Sequence, residues 1–404
     1  MAISAAEVAE GRVRPRSLPG ATVLQVVDSL RDGPQARTTI AVAQALVRAG
    51  ARAIIAAEFG TLVKDLRSFG GEWLSFSSAS VNPMKLRRNA ELLDKFLATE
   101  RVDIVHARNA GAAWSALIAT ERNSVWLVTD LPDPPRKYGL GFSRGALGRG
   151  DSVIARSLYE ARPIMARQNI PPENVKVVPR SIDTALFNPA TVSADRIAGL
   201  RQAWGIPSGV RVVLVPGPVT PACGQLILAD TARILTDRGT HGFTIVLVGD
   251  DQRHRRYTRT LAKRAIQQGV EPLFRLAGPC ADMPAAYAAA DVVVFPYISP
   301  PAYGRIVAEA QAMARPVITT SVGDLPEHVL APPRISDDLR TGWVVQPGNP
   351  ADLAKALADA LALDATGYRA LAARAHEFGR FMFAPPRVAA ATLEVYTSLL
   401  ETET

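Results

Sequence analysis

The sequence predicts an α/β protein made of two Rossmann-like, doubly wound parallel-sheet domains that face each other across a cleft. Three observations predict it. The chain has 404 residues, 48% of them hydrophobic, which is too long for one ordinary core and about right for two. Short apolar runs alternate with amphipathic stretches along nearly the whole chain, the pattern of buried parallel strands separated by helices. That alternation breaks once, in the proline-rich and polar stretch 170–209.

The elements follow in order. Residues 1–20, MAISAAEVAEGRVRPRSLPG, lack the apolar core of a secretion signal and read as a short disordered basic tail. The N-terminal domain, 21–178, opens with the strand ATVLQVV (21–27). In QARTTIAVAQALVRAG (35–50) apolar residues recur at helical spacing and Gly50 suits a C-cap. ARAIIAA (51–57) is a second strand, and a helix follows near 61–70. In NPMKLRRNAELLDKFLATE (82–100), Asn82 can cap a helix and Pro83 suits its first turn. The strands VDIVHA (102–107), SVWLVTD (124–130) and DSVIARS (151–157) complete this half. Residues 179–209 read as the interdomain linker. The C-terminal domain, 210–385, then repeats the alternation with VRVVLVPG (210–217), FTIVLVGD (243–250), LFRLAG (273–278), DVVVFPY (291–297), RPVITTS (315–321) and TGWVVQPG (341–348). The last helices run from Asp352 to Leu400, with 386–404 as a closing C-terminal helix.

Composition narrows the partners. Lysine and arginine number 46 against 38 acidic residues, a net charge of +8, which favours an acidic partner: anionic lipid headgroups, a phosphorylated substrate or nucleic acid. A solvated basic surface accounts for the charge without any partner. No zinc finger, RNP pattern or aromatic–basic stripe is present, so nucleic acid is set aside. No apolar run reaches ~18 residues, so no segment reads as membrane-spanning. Cys223 and Cys280 lack metal-ligand spacing; neither a metal nor a disulfide is expected, and a cytoplasmic location is the default. A dinucleotide-binding enzyme would need G-x-G-x-x-G after its first strand. The turns here, DSLRDGPQAR and VPGPVTPACGQ, do not match it, and no organic cofactor is expected.

Four segments together resemble a known family: NVKVVPRSIDTALFNP (174–189), GPCADMPAAYAAADVVVFPYIS (278–299), AYGRIVAEAQAMARPVITTSVGD (302–324) and TGWVVQPGNPADLAKAL (341–357). They resemble the retaining glycosyltransferases of family 4, which have the two-domain GT-B fold. HARNAGAAWSAL (106–117) is similar to the matching strand and helix of bacterial envelope-polysaccharide and lipopolysaccharide members. The resemblance covers about Ala21 to Leu400. It implies a nucleotide-sugar donor, UDP- or GDP-linked, against the C-terminal domain. It implies a glycan or lipid-linked acceptor on the N-terminal domain, and metal-independent transfer with retained configuration. It also implies that RVAAATLEVYTSLL (387–400) returns to the first domain.

The same resemblance places site residues, and several depart from the family. Cleaving a sugar–diphosphate bond leaves negative charge on phosphate, which without a metal requires cations and helix N-termini. The family sets an Arg after the first C-domain strand and a Lys before a Gly in the next turn. Here Gly217 and Gly224 remain, while Pro218 and Cys223 occupy the cation positions. Of two carboxylates eight residues apart, Glu309 keeps the ribose position and Pro301 replaces the sugar-side acid. A solvated or salt-bridged acid on a helix is the plainer reading of Glu309. Gly304 and Arg305 fall in the matched loop and helix start, and Arg305 can pair with phosphate. Glu327 follows the turn at Gly323, where Asp324 replaces a usual second Gly and sets a negative charge against a diphosphate.

On the acceptor side, Gly33 and Arg37 remain of a Gly-Gly-acid-Arg loop, with Pro34 and Ala36 departing from it. Pro132 stands where a His is often found. His106 survives at a strand end, where a packed, satisfied histidine is the simpler reading. The basic, glycine-rich RKYGLGFSRGALGRG (136–150) reads as a solvated loop or as a contact to anionic lipid. Removing one oxyanion-type donor costs about 10²–10³ in rate, so losing two cations and a carboxylate points to a weak or inactive member with no assigned catalytic residue. Such a member binds nucleotide, or steadies an active glycosyltransferase partner, in the cytoplasm or peripherally at the inner membrane face. A cation arriving from Arg253, Arg255 or Arg256 would instead restore activity.

Overall fold

The structure, a computed structural model, describes residues 16–131, 145–251, 253–300 and 304–402. Most of the 1–20 tail, Pro132, the 136–144 part of the basic glycine-rich stretch and Pro301 lie outside the described residues. The chain divides into two compact units: unit 1 runs to Ser181 and takes in Pro385 onward, and unit 2 is Ile182–Ala384.

Unit 1 is built on a seven-stranded sheet in the order β3-β2-β1-β4-β5-β6-β7. The strands are β1 (Thr22–Ser29), β2 (Arg52–Glu58), β3 (Glu72–Ser75), β4 (Ile104–Ala107), β5 (Trp126–Asp130), β6 (Ser152–Ala155) and β7 (Val175–Val177). Every neighbouring pair is parallel. Near-continuous apolar runs such as TVLQVV suit strands covered on both faces, and two separate apolar clusters flank this sheet. Helices are numbered in chain order among the described residues. Helix α1 (Pro34–Arg48) starts on a proline and buries Ala36, Thr39, Val42, Ala43 and Leu46, a single stripe at helical spacing. After α2 (Val63–Ser68), α3 (Pro83–Glu100) is capped as expected, with Asn82 Oδ1 accepting from the Met84 N–H at 3.0 Å. Asn109 Oδ1 likewise accepts from the Ala112 N–H at 2.7 Å to start α4 (Ala110–Asn123). Helix α5 (Leu158–Gln168) precedes β7. The last helix, α13 (Pro385–Glu401), adds Val388, Val395, Tyr396 and Leu399 to the cluster that α1 also enters.

Unit 2 carries a six-stranded sheet in the order β10-β9-β8-β11-β12-β13, again all parallel. Its strands are β8 (Arg211–Pro216), β9 (Phe243–Val248), β10 (Phe274–Gly278), β11 (Val292–Phe295), β12 (Val317–Thr320) and β13 (Gly342–Val345). Its helices are α6 (Ala194–Ala203), α7 (Ile227–Asp237), α8 (Arg255–Gln267), α9 (Met283–Ala289), α10 (Arg305–Ala312), α11 (Pro350–Ala362) and α12 (Ala365–Met382). From Ile182 onward the proline-rich stretch packs into this unit, burying Ile182, Phe187 and Trp204 in its core.

Each sheet reverses its strand order once, between β1 and β4 and between β8 and β11. Ligands of open α/β sheets bind beyond the carboxyl ends of the strands at such switch points. No helix among the described residues is long and apolar enough to cross a membrane.

Candidate functional site

In unit 2 the turn after β8 keeps its glycine geometry. Gly217 has φ 118° and Gly224 has φ 72°, values that favour glycine. A Cβ on Gly224 would lie 1.9 Å from the Pro296 carbonyl oxygen, so this turn is pressed against the end of β11. The two positions where the resemblance expects cations do not supply them. Pro218 uses its carbonyl to accept from Gln225 Nε2 at 2.8 Å. Cys223 is buried, accepts from the Thr220 hydroxyl at 3.3 Å and shares a hydrogen bond with Tyr297. Burial pushes its thiol up, so it is neutral at neutral pH.

Helix α10 carries Glu309, which is 6% exposed. Its Oε1 lies 2.9 Å from Arg305 Nε one turn earlier, and its Oε2 lies 3.5 Å from the Tyr287 hydroxyl. Burial is the larger influence on this carboxyl and the Arg305 charge opposes it, leaving it pushed up to about 7. Arg305 and Glu309, separate candidates in the sequence, are therefore one ion pair. Gly304 caps α10 at close quarters: a Cβ there would meet the His328 ring at 2.5 Å and Asp324 Oδ2 at 3.0 Å. His328 Nε2 lies 3.1 Å from that same Asp324 oxygen. Asp324, the departure from the family's second glycine, thus sits beside the start of α10. Glu327 lies in the short 3-10 turn Leu325–His328 between them, half-buried, its N–H donating to the Asp324 carbonyl at 2.9 Å.

In unit 1 the acceptor-side candidates separate. Gly33 is extended at φ 176°, a conformation open to any residue, and its carbonyl accepts from the Arg37 N–H at 2.9 Å. Arg37 turns back to Asp32, at 2.6 and 2.9 Å, with both side chains more than half exposed. It does not line the strand-end pocket. His106 does back that pocket, yet it is fully buried with both ring nitrogens bonded. Nε2 lies 2.7 Å from Asp130 Oδ1, and Nδ1 lies 2.7 Å from the Tyr396 hydroxyl on α13. Since the carboxylate can only accept, Nε2 carries the proton and Tyr396 donates to Nδ1, an assignment read from the partners. Burial lowers the His106 pKa against the opposing pull of Asp130, so the ring is neutral. For Asp130 burial works upward, but the charge of Arg108 and then of His106 outweighs it and holds the carboxyl well below the usual range. Arg108 Nε donates to Asp130 Oδ2 at 2.9 Å and Nη1 to Thr39 Oγ1 at 3.0 Å.

The pocket beside this network has a volume of about 50 Å³. It is formed by the first turn of α1, the ends of β4, β5 and β6, the 178–181 segment and one face of α13. Its charged lining includes Arg108, Arg156 and Arg180 beside the one carboxylate of Asp130. Sequence reasoning missed all four. A signal was present, because Arg108 and Arg156 directly follow strands in HARN and VIARS and Arg180 comes soon after another in VVPRS, where sites on parallel sheets gather. Among the described residues no group of three or more His, Cys, Asp or Glu side chains could hold a metal ion.

Two all-parallel Rossmann-like units of seven and six strands, each with one reversal of strand order, define a class, the GT-B fold. Comparison with known proteins agrees. The family model "Glycosyltransferase Family 4" matches residues 35–186, and "Glycosyl transferases group 1" matches 210–362. A D-inositol 3-phosphate glycosyltransferase of Streptomyces scabiei is 29% identical over 316 residues, covering 76% of this chain. The match covers 65% of that relative, so the chain spans just under two thirds of its length. A solved glycosyltransferase from Rickettsia africae superposes with a TM-score of 0.73 at 26% identity, covering 95% of this chain and 100% of that one. Anabaena HepE, solved with UDP, has a TM-score of 0.68 at 22% identity, covering 94% and 100%, and shows the shared fold. The chain belongs to the family-4 type of glycosyltransferase with the GT-B fold.

Proposed function

We propose that unit 2 takes a nucleotide-sugar donor, UDP- or GDP-linked, and unit 1 the acceptor of a retaining sugar transfer in cell-envelope glycan or lipid-linked glycan assembly, with a chemical step that is weak or lost. The protein works in the cytoplasm or peripherally at the inner membrane face. Support for the donor comes from the retained turn at Gly217 and Gly224 and from the UDP bound by HepE. The observation that carries the weakened chemistry is Cys223, a buried neutral thiol at the position where the family resemblance expects a lysine. A neutral thiol contributes no charge to a leaving diphosphate.

A second reading, a pseudo-glycosyltransferase that binds nucleotide or steadies an active partner, is favoured by a separate observation. Arg305 is engaged with Glu309, and Asp324 adds a carboxylate beside Gly304 at the start of α10. The test is a thermal-shift panel of UDP-, GDP-, ADP- and CMP-sugars on the full chain, followed by donor-turnover assays. The proposal expects one nucleotide to raise the melting temperature, by roughly 2–4 °C for each kcal/mol of binding stabilisation. It expects turnover slower by more than ~10⁴ than the usual 1–10³ s⁻¹. Turnover in the ordinary range would remove the claim of weakened chemistry. A folded protein that answers no nucleotide would favour the partner-steadying reading.

A further inference from the structure

We infer that the exposed face of α8 is a docking surface for an anionic lipid bilayer. The inference rests on the peripheral-membrane part of the reading above and deepens it by naming the surface of unit 2 that meets the lipid.

Helix α8 reads RRYTRTLAKRAIQ and carries no acidic side chain. Its inner face packs on the core of unit 2. Leu261 and Ala265 are buried there, and Tyr257 packs against the same cluster with its hydroxyl accepting from the Leu226 N–H at 2.9 Å. On the outer side Arg255, Arg259, Lys263 and Ile266 follow one another at helical spacing, and all four are exposed. Arg256 flanks this stripe and Arg253 precedes the helix, both exposed as well. Among the described residues these five cations make no ion pair, and Arg259 Nε reaches only the Arg255 carbonyl, at 3.4 Å. Arg264, at the edge of the exposed arc, is the one cation of α8 that is paired, with Asp230 at 2.8 Å.

Such a face works against the helix that bears it. Arg255 and Arg256 stand in the first turn, at the positive end of the helix dipole, with no acid there to offset them. Arg255 with Arg259, and Arg259 with Lys263, are like charges four residues apart, which repel where a Glu–Lys pair would attract. A solvated surface helix ordinarily mixes both signs, so this departure from the local rules points to an anion outside the protein. Geometry selects the kind of anion. From Arg255 to Lys263 the helix advances about 12 Å, so the cations lie along a line and do not converge on one phosphate. They match an extended negative surface, to which each cation adds attraction. The one aromatic ring of α8, Tyr257, packs inward, so the exposed face offers no platform for stacking a nucleic-acid base. Ile266, 65% exposed at the end of the stripe, suits the boundary between headgroups and acyl chains. Because the apolar face of α8 belongs to the core, the helix lies against the bilayer through its basic face and does not insert.

The test measures co-sedimentation of the full chain with vesicles, comparing pure phosphatidylcholine with phosphatidylcholine that carries about 30% phosphatidylglycerol. The expected result is binding to the anionic vesicles alone. It should weaken about tenfold or more as salt shortens the screening length from about 10 to about 3 Å. The double variant Arg259→Gln, Lys263→Gln should lower the partition coefficient at least about tenfold, near fivefold for each cation. Arg259→Lys should leave it unchanged, because a bilayer reads charge and not the guanidinium fork. Ile266→Ser should lower it about two- to fivefold at every salt concentration. The double variant relieves repulsion and should melt no lower than the parent. Should it fail to fold, Lys263→Gln alone carries the comparison. The inference is overturned if the folded variants partition like the parent, which would leave membrane binding to another surface. It is overturned too if a short DNA duplex displaces the protein from the vesicles at equal charge, which would assign the face to nucleic acid. A parent that binds no anionic vesicle at low salt would remove the peripheral-membrane reading itself and the inference with it. The response of the melting temperature to UDP, followed in the same samples, reports on the nucleotide reading separately, so the failures stay distinct.

Discussion

A carboxyl that is 6% exposed and 2.9 Å from one guanidinium is pulled in two directions, and at Glu309 burial prevails. Its folded pKa of about 7 lies above the ordinary 4.5, so between these values the folded state holds the proton that the unfolded state releases. The stability this contributes is fully present below pH ~4.5 and is lost as pH rises through ~7, amounting to about 3 kcal/mol at most. Glu309→Gln removes the titration, so the parent should lose several degrees of melting temperature relative to the variant between pH 5 and 8. A parent-minus-variant difference that stays flat over that range would contradict the assignment. Cys223 allows a second residue-scale prediction. Its buried thiol should react with an aromatic disulfide reagent at least tenfold more slowly than half-buried Cys280 in the native protein, and equally fast after unfolding. Equal native rates would place Cys223 at an open surface and weaken the argument built on it.

At the scale of elements, α13 is fixed to the sheet of unit 1 by packing and by one buried hydrogen bond. Val388, Val395 and Leu399 enter the apolar cluster, and Tyr396 donates to His106 Nδ1. Tyr396→Phe keeps the ring and leaves a buried acceptor without its donor, which costs about 1–3 kcal/mol. The denaturant midpoint of unit 1 should fall accordingly, and an unchanged midpoint would mean that Nδ1 finds another donor. Elements also mark where local pattern stops being informative. Strands β1, β2, β8 and β9 are legible because each is a continuous run of apolar residues. Strands β3 and β7, of four and three residues, lie at the two edges of their sheet and are partly exposed, too short for a period to emerge. The helix near 61–70 is likewise only Val63–Ser68, because such short helices are held by packing rather than by propensity.

At the scale of the whole molecule, the two units bury separate sets of apolar clusters on the faces of separate sheets. Separate cores predict that calorimetry resolves two transitions, with UDP raising the one assigned to unit 2. A single transition that UDP shifts as a whole would show that the units unfold as one.

What the sequence determined by itself is the architecture and its family: apolar runs of strand length alternating with helical stretches, and loop motifs around Gly217, Gly224, Gly304 and Glu309 that are contiguous in the chain. Those features are legible because they depend on neighbours a few residues away. Tertiary structure alone decided that Arg305 and Glu309 form a pair under Tyr287, and that Cys223 is buried against Tyr297. It also decided that Arg108, Asp130, Arg156, Arg180 and Tyr396 meet around one pocket and its supporting network. Parallel strands bring their carboxyl ends to one edge of a sheet whatever their separation along the chain. The charge that collects there depends on strand order, which no local pattern encodes.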